Sequence, residues 1–555
     1  MRARKSGIAA GLAGLLLVLT GCVGIPSAGP VIAGSEIRED LDADSVILPQ
    51  GPEDDADPQA ILQGFVRAGT GPQGDYSVAR EFLTPDLAQR WKPNAGVTVS
   101  QPGSDNYTQT GERTLEYTVV PVATVDSNGR YVAAEASGPA TMQFTFEQVG
   151  GQWRISEAPD GIVLTGSSFE QIFNPYSVYF FNPTFSTMVP DLRWFPTPLL
   201  ARRIVAALLA GPSEWLAPGV VTEFPNGTTL GPDGVRQDGN RVVVDLSAEA
   251  AESDTERLQR MKLQLTHSLA DVTSVTSIGI SINQGEVAIP ETTSAGPVVE
   301  PEVDSRVLLR NADGFGHYRR GEIEPIAGIS GQVQELAATE VSLSRNEQYA
   351  AVQAPGGVYA VQVGGEPLLV DARPGLIAPS VDDLEFVWSV PALNPAGLIA
   401  TDLAGTPHPI GSGLPASGRM LAIEVSRDGA RIALLAEADN VTRLYVAAVV
   451  REDGVPVSLG PLTELALETN AIDATWVDSV RVATLNFDDG DYRVSVHEIG
   501  GLSTSLGELT FGEQIVGGNG IDGLRVLGND GIIQQPRGTG WQSSNVEADF
   551  LGTQR

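Results

Sequence analysis

The sequence predicts a multidomain chain: a mixed α+β body first, an α/β domain in the middle and an all-β propeller at the end. Three observations carry that expectation. The 555 residues are too many for one hydrophobic core and suggest roughly three to five domains. Apolar residues three and four apart mark helices in the earlier segments, and beyond residue 303 the pattern turns to short alternating strands punctuated by glycine and acidic turns. Within that later part, strand motifs recur every forty to fifty residues or so, the period of a propeller blade.

The chain opens with Arg2, Arg4 and Lys5, continues through an apolar stretch from about Ile8 to Leu19, and becomes polar after Cys22. A basic flank before a short apolar segment is the arrangement of an export signal, and the segment is short for a membrane span. Residues 1–21 are therefore read as a signal peptide. Cys22 is the single cysteine, so it has no partner for an internal disulfide. The run Leu19-Thr20-Gly21-Cys22 resembles a bacterial lipoprotein box. That resemblance implies cleavage between Gly21 and Cys22, S-diacylglycerol on the thiol and an N-palmitoyl chain on the new amino terminus. Acyl chains of this kind hold a soluble body to a bilayer through their buried methylenes. Residues 22–56, interrupted by Pro26, Pro30, Pro49 and Pro52 and rich in acids, read as a flexible tether.

The N-terminal α+β domain is expected over 57–165. Ile61, Leu62, Phe65 and Val66 predict a helix that starts at Asp57, and a second helical pattern runs near Ser77 to Trp91 across Pro85. Strands are expected at Leu115 to Val125, Tyr131 to Ala134, Thr141 to Gln148 and Gln152 to Ile155. This order, with Gly151-Gln152-Trp153-Arg154-Ile155, resembles the cone-shaped fold of nuclear transport factor two (NTF2-like). Trp153 and Tyr117 are read as packing residues rather than ligand readers.

The middle domain is expected over 189–299. Thr197 to Pro212 reads as a helix with proline near its start and glycine at its stop. Strands are expected at Val220 to Phe224, Arg241 to Leu246 and Val275 to Ile282, with a helix from Glu256 to Leu269. The runs Ile204 to Pro212, Val242 to Ser247 and Met261 to Thr266 resemble the GerMN domain of spore-germination and cell-envelope proteins, which implies a scaffold or interaction module. Asp245 reads as an end-of-strand or capping residue, and Asn226-Gly227 as a turn.

A degenerate β-propeller of five or six blades is expected over 303–550. Leu343-Ser344-Arg345-Asn346 and Val425-Ser426-Arg427-Asp428 each feed an alternating strand, and the two serines stand 82 positions apart, about two blade lengths. Trp388 and Trp476 stand 88 positions apart and read as packing between blades. The cluster Asn486-Phe487-Asp488-Asp489-Gly490-Asp491 lacks the full spacing of a calcium loop and reads as a hairpin turn.

Charge excludes one class of partner. With 35 Lys plus Arg against 69 Asp plus Glu, the net charge is −34, a surface that repels nucleic acid. The four histidines, His267, His317, His408 and His497, lie in separate elements and belong to no metal-binding or nucleophile motif. No catalytic residue, metal ligand or cofactor is therefore assigned, and the chain is read as a non-enzyme.

Taken together, the signal, first domain, GerMN-like centre and propeller occur in an order that resembles the actinobacterial LpqB lipoprotein family. The resemblance implies an accessory lipoprotein, lipid-anchored on the extracytoplasmic face of the cell membrane. Its implied partner is the extracytoplasmic domain of a membrane sensor histidine kinase of the MtrAB type, whose signalling it modulates in cell-envelope homeostasis. The alternatives are a glycan-acting enzyme, built from carboxylates on distant propeller loops, and a ligand-binding or structural envelope lipoprotein.

Overall fold

Asp57 starts the first helix, α1 (Pro58–Ala68): its carboxylate accepts from the Ala60 N–H at 2.8 Å, and Pro58 occupies the first turn, where no donor is needed. The computed structural model describes residues 49–134, 138–273, 275–291 and 296–555; the expected signal peptide, Gly21 and Cys22 lie outside them. Residues 49–56, assigned to the tether by sequence, are docked. Asp55 exchanges two hydrogen bonds with the Gln152 side chain, and Ala56 packs on the domain core.

The second helical pattern is divided. It forms α2 (Ser77–Glu81) and α3 (Pro85–Arg90), because Pro85 cannot donate back into a continuous helix and Thr84 caps the restart. The expected strand Leu115 to Val125 also divides, at Val120. With β1 (Gly96–Ser100) and β2 (Asn106–Gln109) ahead of them, β3 (Thr114–Val119) and β4 (Pro121–Asp126) enter different sheets. Pro121 lacks the N–H that a continuing ladder would use. The domain is completed by β5 (Tyr131–Ala133), β6 (Ala140–Val149), β7 (Gln152–Glu157) and β8 (Ile162–Thr165) in two four-stranded sheets ordered β5-β4-β1-β8 and β2-β3-β6-β7.

A short helix α4 (Gly166–Ile172) then leads into an antiparallel hairpin, β9 (Phe173–Phe181) and β10 (Met188–Pro196). Every residue of β10 is buried. Its side chains reach three bodies: Trp194 joins the N-terminal core beside Phe169 and Tyr131, Phe195 joins the middle core, and Val189 packs with Leu216 and the propeller's Ala430. The Trp194 indole also donates to the Gly500 carbonyl of the propeller at 2.9 Å.

In the middle domain α5 (Leu200–Ala210) is followed by β11 (Leu230–Asp238), β12 (Arg241–Leu246), α6 (Thr255–Ser268), β13 (Ser277–Ile282) and β14 (Gly285–Glu286). Strands β12 and β13 pair in parallel, and α6 makes the crossover that parallel pairing requires. The expected strand Val220 to Phe224 does not form. Only Val221 bridges, to Phe181, because the preceding turn Ala217–Gly219 is pressed against the propeller and Pro225 follows. A Cβ on Gly219 would lie 2.9 Å from both the Ala430 carbonyl and the Ala448 methyl.

The propeller has six sheets. Residues 550–551 pair with 307–311 and so complete the first blade, after which 553–554 run parallel to 340–343 of the second. Side-chain hydroxyls stitch successive innermost strands: Ser342 accepts from the Val381 N–H, Ser380 from Val425 and Thr475 from Gly517, at 3.0 to 3.2 Å. Trp388 and Trp476 are buried, their indoles donating to Asp382 and to the Glu424 carbonyl.

Two stability predictions follow from buried charge. Arg193 donates to Asp191 at 2.6 Å with side-chain exposures of 0% and 4%. Asp191→Ala leaves that guanidinium buried without its anion and is expected to cost about 3–5 kcal/mol in urea unfolding, whereas Asp191→Asn together with Arg193→Met costs less. On the innermost strands, burial pushes the Glu340 carboxyl up to about 8, with the Asp473 charge adding to the effect; burial also pushes Asp473 up to about 7. Folding therefore takes up protons, so these groups favour the folded state increasingly as pH falls from about 8 toward 5. Glu340→Gln, whose amide oxygen still accepts from Gln514, should raise the urea midpoint at pH 8 and change it little near pH 4.

Candidate functional site

A cleft of about 620 Å³ lies where the N-terminal domain, the middle domain and the propeller meet. Its first wall is the outer face of β4 and β5. Strand alternation that turns Ala123 and Val125 into the core must turn Val122, Thr124 and Asp126 outward, and Val132 pairs with Thr124 on the same face. Val132 is 60% and Val122 42% exposed. The second wall is Ser213, Glu214 and Trp215 after α5; the third is the propeller segment Pro461 to Ala466 with the turn His497 to Ser503.

The first two walls are held together by the ion pair on β10. Asp191 accepts from Arg193 and from both the N–H and hydroxyl of Ser213, at 2.6 and 2.9 Å. Arg193 donates in addition to the Gly211 and Asn128 carbonyls, and Arg130 donates to the Gly211 and Pro212 carbonyls. One strand, one loop and one turn from two domains are thereby clamped together. On the propeller side Gly500, with φ at +79°, faces Leu192.

The electrostatic character follows from the lining. Among the described residues, Asp126, Asp191, Glu214, Glu464 and Glu498 face the cleft against one guanidinium, Arg130. Arg130 lies beside Asp126 at 3.7 Å, and Arg193 balances Asp191 from behind. Leu192, Trp215, Leu465, Ile499 and Leu502 add apolar surface. The arrangement is an apolar wall rimmed by carboxylates, the character of a binding surface.

His497 sits in this cleft with Nδ1 2.9 Å from the Ser503 hydroxyl and Nε2 3.0 Å from Thr484. The spacing is that of a nucleophile and base. Burial, however, presses the imidazole down to about 4, which makes it a weak proton acceptor at neutral pH, and its second nitrogen meets a hydroxyl where an orienting carboxylate would be needed. The pair works as a cross-strand tie.

The other sequence candidates are dispersed. Buried Tyr117 donates to Asp105 at 3.0 Å and stacks on Tyr107, while Trp153 packs half-buried at the core's edge. Beside that core is a smaller apolar cavity of about 250 Å³ lined in part by Phe65, Trp91, Met142 and Phe144. Asp245 is fully buried. Burial alone would raise its carboxyl, but the Gln284 N–H, the Ser281 hydroxyl and the Asp233 N–H outweigh that and hold it low. Asn226-Gly227 is a turn, with Gly227 at φ +85°. Asp488 and Asp491 face one another across a tight turn at Asp489-Gly490, where φ is +52° and +99°. His267 lies edge-on to Tyr179, and His408 is 4.0 Å from Asp402.

His317, in contrast, falls into a cluster. One donor atom each from Asp304, His317 and Glu347 lies within 4.8 Å of the others, and His317 Nε2 is 2.8 Å from Glu347. Arg306 already donates to both Asp304 oxygens, at 2.9 and 2.6 Å, and these hydrogen bonds hold that carboxyl at about 2. The guanidinium is thus the cation of this cluster. None of the cleft's principal features, Asp191, Arg193, Val122 and Val132, was a sequence candidate; the readable signal was the Asp191-x-Arg193 pair inside an otherwise apolar run.

Three family models match the chain in succession: "Lipoprotein LpqB, N-terminal domain" over residues 51–170, "Sporulation and spore germination" over 177–288 and "Lipoprotein LpqB beta-propeller domain" over 313–548. Lipoprotein LpqB of Thermobifida fusca is 31% identical over 52% of this chain and 48% of its own length. Lipoprotein LpqB of Streptomyces coelicolor is 27% identical over 98% of this chain and 97% of its own. Among solved structures, a putative TolB from Agrobacterium tumefaciens is similar over 38% of this chain and 80% of that one, with 15% identity and a TM-score of 0.29. No helix among the described residues is long and apolar enough to cross a membrane.

The depressed His497 gives a pH prediction. The unfolded imidazole binds its proton near 6.5 and the folded one near 4, so its contribution to stability is complete above about 6.5 and is lost as pH falls toward 4. In His497→Gln that component should vanish, and the difference in urea midpoint between variant and parent should shift in the variant's favour from pH 7 to pH 5. A difference that stays constant with pH would show that His497 is not the titrating group.

Proposed function

The chain belongs to the LpqB family of envelope lipoproteins with a propeller domain, and from that premise we propose that it is a lipid-anchored accessory protein on the extracytoplasmic face of the cell membrane. In this reading it binds the extracytoplasmic domain of a sensor histidine kinase of the MtrAB type and modulates signalling in cell-envelope homeostasis. The observation that carries a binding role is the composite cleft: three domains contribute walls, two exposed valines line one of them, and a rim of carboxylates surrounds the apolar surface. A catalytic role has weaker support, because the cleft's one serine–histidine pair has the wrong basicity.

Cys22 supplies the attachment. Diacylglycerol on its thiol and palmitate on its amine would hold the acidic body at the membrane, where its charge disfavours lying flat on anionic headgroups. A second reading is favoured by one observation, the apolar cavity in the N-terminal domain, which suits a small apolar envelope ligand.

The test is crosslinking in cells with intact protein and Cys22→Ser, followed by identification of membrane partners. Intact protein should capture the sensor kinase, and Cys22→Ser should leave the membrane fraction and lose most of that capture. Absence of the kinase from the intact sample refutes the partner; equal membrane retention of Cys22→Ser refutes the anchor.

A further inference from the structure

We infer that the three-domain cleft is a docking site for an extended, basic segment of a partner protein. The inference deepens the proposed kinase-binding role and rests on that reading for the partner's identity, not for the chemistry of the site.

Two independent features select the occupant. The first is charge. Among the described residues five carboxylates line the cleft, and the one guanidinium that lines it, Arg130, is committed to backbone carbonyls and to Asp126; with Asp191 buried against Arg193, the acidic face open to a partner is that of Glu214 and Glu464. Glu214 is exposed, and so is Glu464, whose side chain is 54% accessible beside Arg443 at 3.8 Å. The chain as a whole carries −34, so a cationic partner is steered inward over a distance and an acidic one is turned away.

The second is backbone. β5 is the edge of its sheet, and residues 463–465 form a further edge strand that pairs only with 441–452. The segment from 503 onward is the outermost strand of its blade. Strand edges carry hydrogen-bonding groups that an extended chain can complete, and such a chain sends alternate side chains to opposite sides. Apolar residues of one parity would meet Val122 and Val132, while basic residues of the other would meet Glu214 and Glu464. A helix presents no backbone groups to these edges, and a nucleic acid carries the wrong charge.

The full chain, held in detergent through its anchor, is titrated into a fluorescent eight-residue peptide, Lys-Val-Lys-Thr repeated twice, with anisotropy as the readout. A second peptide replaces each lysine by glutamate. The basic peptide should bind and weaken as salt is added, the acidic one should not bind, and Val132→Lys or Glu214→Lys with Glu464→Lys should each reduce affinity about tenfold or more. Glu335→Lys, an exposed charge outside the cleft, should leave affinity within about twofold. Urea midpoints matching the parent identify the variants as folded. No binding of the basic peptide overturns the inference, and so does equal binding by parent and cleft variants, which marks diffuse ionic attraction.

The kinase's extracytoplasmic domain is then titrated in the same format. Domain binding that the cleft variants weaken and the basic peptide displaces supports the inference. Domain binding untouched by them overturns it while the proposed function stands. Peptide binding without domain binding upholds the site and removes the kinase as its partner.

Discussion

The arrangement of the molecule depends on one strand without a solvent face. β10 lies between three bodies, and each of its nine positions is buried. A strand in that position must satisfy its polar side chains internally, because water cannot reach them. Asp191 does so with Arg193 and with the Ser213 hydroxyl and N–H, and Arg193 does so through its two terminal nitrogens, its Nε alone meeting no acceptor. The ion pair does more than cancel charge. Its remaining hydrogen bonds are to loops of two domains, so the relative position of those domains is specified by directional contacts in addition to apolar burial.

The propeller meets the same requirement differently. Its inner strands are short, and their side-chain hydroxyls receive backbone N–H groups from the next blade, which ties neighbouring sheets together near the axis. Large side chains fill the space between sheets: Trp388 and Trp476 are among the largest fully buried side chains of the described residues. The indole N–H of each has an acceptor, so burying these side chains leaves no donor unsatisfied.

Much of the fold was legible in sequence because local chemistry and final structure agree. Asp57-Pro58 starts a helix, the helix expected from Glu256 to Leu269 forms over Thr255–Ser268, and Asp489-Gly490 makes a hairpin turn. The failures have physical causes. The hairpin of β9 and β10 carries charge and proline among its apolar residues, which resembles no ordinary strand until three domains surround it. Val220 to Phe224 has strand composition, but the docking of Gly219 on the propeller decides its path. The cleft was illegible for a related reason. Val122 and Val132 read as ordinary strand residues, and only the orientation of their sheet reveals that the two valines face outward beside acids from residues more than three hundred positions away.

Completion of the first blade by residues 550–551 imposes an order on folding. Leu309 pairs with Leu551, so the ring cannot close until nearly the whole chain has been made available. A chain exported amino end first would present its α+β domain and the β9–β10 hairpin early, while the first blade waits with an unpaired edge. Contacts of such long sequence separation form slowly. The turn around Gly219 and Leu216 rests on the fourth blade, so its path too depends on the propeller being in place. The seam between the earlier domains and the ring therefore forms only when both of its sides are present.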